Sequence, residues 1–105
     1  MKICVLGAGA WGTALAIHLA KSHPTKLWAR NSGHVSGMKK AQSNPLYLGD
    51  FKFPSLLEIG NDFKEALSDI DLIVCAVPTS GFRKILKSIH EINQTALVIW
   101  ANKGL

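Results

Sequence analysis

The feature that most restricts the fold of this chain is the hexapeptide Gly7-Ala8-Gly9-Ala10-Trp11-Gly12, which separates an apolar run from a helical pattern. The run, residues 2–6, is short and aliphatic and stops at the first glycine, as a buried parallel strand does. Over residues 11–21, side chains then recur at intervals of three and four, the period of an amphipathic helix. The segment therefore predicts a strand, a tight turn and a helix. The predicted inner face of the helix consists of Trp11, Ala14, Leu15, His18 and Leu19.

Each glycine of this hexapeptide has a physical role. Gly7 permits the tight turn, Gly9 leaves room for a pyrophosphate against the backbone, and Gly12 lets helix and strand pack closely. The helix N-terminus adds unpaired N–H groups and a partial positive charge. The motif therefore predicts a dinucleotide-binding turn, and the alternative is a packing turn that binds no ligand.

The rest of the chain alternates between strand-like and helix-like segments. Further strands are predicted over residues 26–29, 57–59, 71–77 and 96–100. Helices are predicted over residues 35–41, from Asn61 or Asp62 to 67, and from Thr79 or Ser80 to 92. Residues 43–54 contain two prolines and a glycine and are predicted to form an irregular connection. The predicted inner face of the last helix consists of Phe82, Ile85, Leu86 and Ile89.

This alternation defines a fold class. Strands that alternate with helices are joined by right-handed βαβ crossovers, which produce a parallel sheet covered on both faces. A chain of 105 residues is long enough for one such core and too short for two. We therefore expect an α/β protein with a doubly wound parallel sheet, the Rossmann dinucleotide-binding fold, as a single domain over residues 1–105.

The end of the second predicted strand indicates which dinucleotide would bind. An NAD-binding domain usually has Asp or Glu there to accept from the adenosine ribose, but this chain has Trp28-Ala29-Arg30-Asn31 and no carboxylate before Asp50. Arg30, 18 residues after Gly12, could instead pair with a 2′-phosphate or stack on adenine. The sequence therefore favours NADP(H), with NAD(H) possible. The alternative is that Arg30 is a solvent-facing charge at a strand end.

Charge and composition exclude several classes of protein. The net charge is +5, but the basic residues are scattered and are not interleaved with aromatic residues, so we expect no nucleic-acid partner. No apolar window approaches the ~20 residues of a membrane span, and we expect no signal peptide, because an apolar strand and then glycines follow Lys2. Cys4 and Cys75 lie in aliphatic runs without metal-ligand spacing, so we expect free, buried thiols in a reducing cytoplasm.

Five motifs together resemble the bacterial-type NAD(P)-dependent glycerol-3-phosphate dehydrogenases. The motifs follow one another in the order and spacing of that family, and the resemblance covers essentially the whole chain. The Trp before the third glycine, the aromatic-x-Arg and the terminal Lys-Gly make the resemblance specific. The motifs are G-A-G-A-W-G-T-A-L-A (7–16), L-W-A-R (27–30), N-P-L-Y-L-G (44–49), A-V-P-T (76–79) and W-A-N-K-G-L (100–105).

The resemblance implies an oxidoreductase that transfers hydride between NAD(P)H and dihydroxyacetone phosphate, giving sn-glycerol 3-phosphate for phospholipid synthesis. It also implies that Ala10 and Trp11 line the pyrophosphate turn, with Gly7, Gly9 and Gly12, and that Arg30 holds the adenosine end. Val77 and Pro78 would lie by the nicotinamide. Lys103 would reach both the cofactor and the substrate phosphate; read without the family, it is a surface lysine near a chain end.

The sequence departs from the family at three positions and in length. Ala10 stands where the family often has Ser, Gly49 where Pro usually follows Tyr-Leu, and Asn102 where Thr or Ser often precedes the lysine. Family members continue through a helical domain that supplies the catalytic lysine and most of the substrate pocket. We therefore name no catalytic residue and no metal ligand here, and we expect His18 to be a core residue and the other histidines to be exposed.

Three interpretations of the chain as a whole follow. It is a cofactor-binding part of the dehydrogenase that is inactive alone, a stand-alone NAD(P)-binding or sensing module without enzymatic activity, or an enzyme completed by another chain. The first is favoured because residues 98–100, an apolar strand, are followed by only five residues. Without the helical domain, this strand is expected to leave an apolar patch that promotes self-association.

Overall fold

The computed structural model of the protein describes residues 1–77, 80 and 82–101, and of Phe82 the backbone only. In chain order, the elements are β1 Ile3–Leu6, α1 Ala10–Leu19, β2 Thr25–Trp28, α2 Ser32–Ala41, β3 Ser43–Asn44, β4 Gly49–Lys52, β5 Leu57–Gly60, α3 Phe63–Leu67, β6 Leu72–Cys75, α4 Phe82–Ile92 and β7 Leu97–Trp100. The predicted alternation of strand and helix is therefore confirmed, with boundaries that differ by a few residues.

Five of the described strands form one parallel sheet in the order β5-β2-β1-β6-β7. In the central register, Ile3 of β1 lies opposite Thr25 of β2 on one side and Leu72 of β6 on the other. The strand order places β1 in the middle, with successive crossovers leading outward on both sides. The predicted α/β fold with a doubly wound parallel sheet is confirmed.

Two apolar cores, one on each face of the sheet, hold the layers together. On one face, Val5 and Leu27 pack with Ala16 of α1 and Met38 of α2. On the other face, side chains such as Leu6 pack with Leu67 of α3 and Ile89 of α4. Because β1 and β6 are covered by helices on both sides, their side chains read as continuous apolar runs rather than alternating ones.

The predicted inner face of α1 is confirmed only in part, because Leu15 and Leu19 pack against the core but Trp11 and His18 do not. The residues that α1 buries are Gly12, Thr13 and Ala16, whereas Trp11 is 44% exposed and His18 is exposed. The reason is distance: the glycine-rich turn sets this helix so close to the sheet that only small side chains fit between them. The larger aliphatic side chains of α1, Leu15, Ile17 and Leu19, are half-buried and pack against the margin of the core.

The predicted irregular connection over residues 43–54 is also corrected. It contains a two-stranded antiparallel hairpin of β3 and β4, with a register shift between Ser43 and Asn44. Leu46, Tyr47 and Phe51 of this hairpin are exposed. The sequence did not predict this hairpin because it lacks the alternation of apolar and polar residues that marks a strand. The two residues of β3 are polar and buried, and all four residues of β4 are exposed.

The helix ends follow local hydrogen bonding. The side chain of Asn31 accepts from the backbone N–H of His34, which starts α2 at Ser32, three residues before the predicted start. Asp62 caps α3 in the same way, as one of the two predicted caps. For α4, Thr79 lies outside the described residues, and the helix is described from Phe82. Of its predicted inner face, Ile89 is buried, Ile85 and Leu86 are half-buried, and the Phe82 side chain is not described.

The two cysteines are free and buried on neighbouring strands, as predicted. Burial raises the pKa of the Cys4 thiol to about 12 and that of the Cys75 thiol to about 11. Both thiols are therefore protonated and unreactive at neutral pH. Within the described ranges, no helix is long and apolar enough to cross a membrane.

Candidate cofactor-binding site

The topology creates a crevice where the direction of the crossovers reverses, between β1 and β6. The helix that follows β1 packs on one face of the sheet, and the helix that follows β6 packs on the other. In open α/β sheets, ligands bind at the carboxyl ends of the strands at such a switch point. Here the glycine-rich turn leaves the carboxyl end of β1, and Ala76 and Val77 leave that of β6.

The protein itself requires two of the three glycines. Gly7 has φ of +107°, a left-handed conformation that favours glycine, and a Cβ there would lie 2.9 Å from the carbonyl oxygen of Ala76. A Cβ on Gly12 would lie 1.9 Å from the carbonyl oxygen of Gly7. Both approaches are backbone against backbone, so neither position accepts a side chain without a shift of α1 or β6.

Gly9 differs, because nothing in the fold requires a glycine there. Its backbone is extended, with φ of −75° and ψ of −172°, and a Cβ would meet no atom within 4 Å. Gly9 is also the N-cap of α1, where no side chain accepts from the helix and no acidic residue lies in the first turn. The first N–H groups of a helix have no intrahelical acceptor, so those of α1 are available to a ligand. The donors and the room fit a phosphate group.

Hydrogen bonds tie the turn to its neighbours. The N–H of Gly7 donates to the carbonyl oxygen of Trp28 at the end of β2, at 2.8 Å. Ala76 donates to Leu6, also at 2.8 Å. The indole N–H of Trp11 reaches across the sheet edge to the carbonyl oxygen of Ala101, at 3.0 Å. The turn is therefore held from both sides of the crevice.

Arg30 lies two residues beyond β2, beside the glycine-rich turn along the carboxyl edge of the sheet. Its neighbours fix the backbone, because Ala29 donates to Gly60 and Asn31 caps α2. The guanidinium is exposed and has no ion-pair or hydrogen-bond partner within residues 1–77 and 82–101. The nearest following carboxylate, Asp50, lies on the exposed strand β4. The segment that follows β2 therefore contains a cation, Arg30, and no acidic residue.

The structure brings most of the expected residues together. Gly7, Gly9, Ala10, Trp11 and Gly12 form one turn at the carboxyl end of β1. The side chain of Val77 lies beside that turn, since a Cβ on Gly7 would be 2.9 Å from its Cγ1. Pro78 and Lys103, which complete the expected set, lie outside the described residues.

Three of the four histidines differ from the sequence prediction in their burial. His18, expected in the core, is exposed on the outer side of α1, and His90 is exposed as predicted. His23 and His34, expected in solvent, are half-buried. His34 is in contact with Asn44, its Nε2 lying 3.0 Å from the Asn44 Oδ1.

Asn44 is the residue near the site that sequence reasoning missed. It is 1% exposed, and its amide nitrogen donates to the carbonyl oxygen of Ala8, inside the glycine-rich turn, at 2.9 Å. The contact joins residues 36 positions apart, so no local pattern reveals it. The one signal in the sequence was the N-P-L-Y-L-G motif, which marked the segment as part of the family pattern without indicating what its asparagine does.

The fold and the glycine-rich turn define a Rossmann domain of the dinucleotide-binding class. Residues 2–105 match the family model described as the N-terminus of NAD-dependent glycerol-3-phosphate dehydrogenase. The chain belongs to that family, and NAD(P) is the dinucleotide that the family binds.

The relatives agree with this assignment. A glycerol-3-phosphate dehydrogenase [NAD(P)+] of Methylobacillus flagellatus is 50% identical over the whole chain, which covers 32% of that relative. The crystal structure of a glycerol-3-phosphate dehydrogenase from Coxiella burnetii superposes with a TM-score of 0.90 at 35% identity, over 99% of this chain and 33% of that one. The structure of the Saccharomyces cerevisiae enzyme, at 21% identity, has the same fold, with a TM-score of 0.85 over 99% of this chain and 34% of that one. The chain spans about a third of the length of these relatives.

Proposed function

We propose that this chain is the cofactor-binding part of a glycerol-3-phosphate dehydrogenase, which interconverts dihydroxyacetone phosphate and sn-glycerol 3-phosphate with NAD(P)H. The observation that carries the proposal is the open space at Gly9, directly at the N-terminus of α1. The fold demands glycine at positions 7 and 12 but not at 9, and a glycine at this helix N-terminus leaves room for a ligand that approaches the backbone. The uncapped N-terminus of α1 supplies the donors that a pyrophosphate needs.

In this proposal, the residues of the turn bind and orient the cofactor. The N–H groups of Ala10 and Trp11 face the phosphates, and Val77 and Pro78 border the nicotinamide end of the crevice. Lys103 is assigned to the phosphates of cofactor and substrate, as a compact and flexible cation. The bound nicotinamide supplies the hydride chemistry. We place the proton transfer to and from substrate in the part of the relatives' length that this chain does not span.

We further propose that NADP(H) binds more tightly than NAD(H). The support is that the segment after β2 contains a cation, Arg30, and no acidic residue. A carboxylate there would accept from a 2′-hydroxyl and repel a 2′-phosphate, whereas the exposed guanidinium of Arg30 can pair with that phosphate. Arg30→Ala should therefore raise the Kd for NADPH about tenfold and change the Kd for NADH much less.

The experiment is a fluorescence titration of the chain with NADPH and with NADH. Wild type should show saturable quenching, tighter for NADPH. Gly9→Ala should raise both Kd values at least tenfold while the chain stays folded, because its methyl meets the ligand and not the protein. Gly60→Ala is the matched control, since a Cβ there also meets nothing within 4 Å. Absence of binding at millimolar concentration would overturn the proposal.

Two additions to this experiment separate the interpretations of the chain. Oxidation of NADPH on addition of dihydroxyacetone phosphate would identify a chain that is active by itself, whereas binding without turnover is expected of a cofactor-binding part.

The expected self-association is supported by the exposed apolar side chains of β7, where Leu97 is 65% and Ile99 44% exposed. We expect sedimentation to detect concentration-dependent association, weakened in Leu97→Ser, and a clean monomer at high concentration would contradict it.

A further inference from the structure

The side chain of Asn44 is buried behind the glycine-rich turn. Its Nδ2 donates to the carbonyl oxygen of Ala8 at 2.9 Å and to the Thr13 Oγ1 at 2.8 Å. Ala8 stands between Gly7 and Gly9, and Thr13 lies at the start of α1 with no exposed surface. One buried amide therefore joins the two segments whose relative position sets the shape of the turn.

A third bond fixes the orientation of this amide. The Asn44 Oδ1 lies 3.0 Å from the Nε2 of His34 on α2. An amide oxygen only accepts, so this nitrogen of His34 carries the proton. The His34 ring in turn packs against Tyr47 of the hairpin, with centroids 5.3 Å apart. With its oxygen held by His34, the amide presents both of its N–H groups to the turn and to α1.

The bond to Ala8 restrains the turn at the point where its backbone has the most freedom. A buried carbonyl that loses its donor costs free energy, so the chain relieves the loss by moving the peptide. Ala8 is flanked on both sides by glycine, whose backbone moves easily. Asn44 is 1% exposed and cannot reach a ligand in the open space beside Gly9. Any effect on a ligand must therefore pass through the backbone of the turn.

We propose that Asn44 is a positioning residue for dinucleotide binding. It holds Ala8 and Thr13 so that Gly9 and the N-terminus of α1 face the pyrophosphate together, and His34 keeps the amide in the orientation that does so. This assignment rests on the proposed function. It also gives the N-P-L-Y-L-G segment a role. This segment forms part of the hairpin between α2 and β5, and its Asn44 holds the glycine-rich turn in place.

The test compares two asparagines that make similar bonds at opposite edges of the sheet. Asn93, like Asn44, donates from its amide to two acceptors, the carbonyl oxygens of Leu67 and Ile70, but before the amino end of β7. The Kd for NADPH is measured for wild type, Asn44→Ala and Asn93→Ala, at a temperature well below every unfolding midpoint. We expect Asn44→Ala to raise the Kd about tenfold and Asn93→Ala to leave it within twofold, although both lower the unfolding midpoint.

The remaining outcomes separate this inference from the proposed function. If wild type binds NADPH and folded Asn44→Ala binds it equally well, the positioning role is overturned while the proposed function stands. If wild type does not bind, both are overturned. Should Asn44→Ala fail to fold, Thr13→Val and His34→Phe decide, since each removes one bond of the same amide. A rise in Kd of threefold or more in both supports the role, and wild-type affinity in both overturns it.

Discussion

The Cβ that Gly12 lacks would stand 1.9 Å from the carbonyl oxygen of Gly7. The two glycines face each other across the narrowest gap between α1 and the turn that precedes it. This gap explains why α1 buries small residues, and why a side chain at position 9, which points away from the gap, would meet nothing. The fold therefore requires glycine at positions 7 and 12 but not at position 9. Substitutions at these positions can distinguish an effect on folding from an effect on ligand binding.

Gly12→Ala is expected to destabilise the fold strongly. The added methyl meets backbone, which cannot rotate away, so α1 must shift off the sheet and lose packing at Ala16. Overpacking of this kind costs about 1–3 kcal/mol, and the cost lies at the upper end when the contact is rigid. Urea unfolding followed by circular dichroism measures the loss. An unfolding free energy within about 1 kcal/mol of wild type would show that the helix accommodates the methyl.

Gly37→Ala is expected to have the opposite effect. Gly37 is exposed in the interior of α2, and a Cβ there would meet nothing within 4 Å. Alanine removes backbone freedom from the unfolded chain and favours the helix, which should raise the unfolding free energy by about 0.5–1 kcal/mol. The same urea titration checks it. A loss of stability would mean that α2 needs glycine at this position.

The fold and the turn could be predicted from the sequence because their signals are local. The aliphatic run at residues 2–6 and the spacing of Gly7, Gly9 and Gly12 each depend on neighbouring residues, and the alternation of elements then restricts the topology. The resemblance to a family added the expected roles of Arg30 and Lys103. The structure placed Arg30 at the end of β2, next to the turn, where the spacing had put it.

What could not be predicted depends on distances between elements. The inner face of α1 was predicted only in part: Leu15 and Leu19 do pack against the core, but periodicity also selected Trp11 and His18 and did not find the small residues that the gap set by Gly7 and Gly12 admits. The role of Asn44 was missed because a buried amide resembles a turn residue in sequence, and its partner Ala8 lies 36 positions away.

Stability is expected to fall at alkaline pH because of the buried thiols. The folded-state pKa is raised to about 12 for Cys4 and about 11 for Cys75 from an ordinary value of 9.0, so between pH 9 and 11 the unfolded chain releases protons that the folded chain keeps. The unfolded state then binds fewer protons, and the unfolding free energy falls by about 1.4 kcal/mol per pH unit for each thiol. No such loss is expected below pH 8.

The matched variant for this prediction is Cys4→Ala with Cys75→Ala. It is less stable at neutral pH because it removes buried volume, but it lacks the two titrating groups. The difference in unfolding free energy between wild type and variant should therefore shrink as pH rises from 8 to 11. Parallel curves over that range would mean that the thiols titrate alike in both states.

Trp11→Phe is expected to identify the source of the fluorescence signal. Trp28 packs on Phe63 at 5.1 Å and, like Trp100, borders the core under α3 and α4, whereas Trp11 is 44% exposed beside the glycine-rich turn. Quenching by NADPH should therefore lose most of its amplitude in the variant. The Kd, measured by calorimetry, should change by less than about fivefold, because the lost bond to Ala101 is exposed and such bonds contribute about 1 kcal/mol. Full quenching in Trp11→Phe would place the bound dinucleotide nearer to another tryptophan and away from the N-terminus of α1.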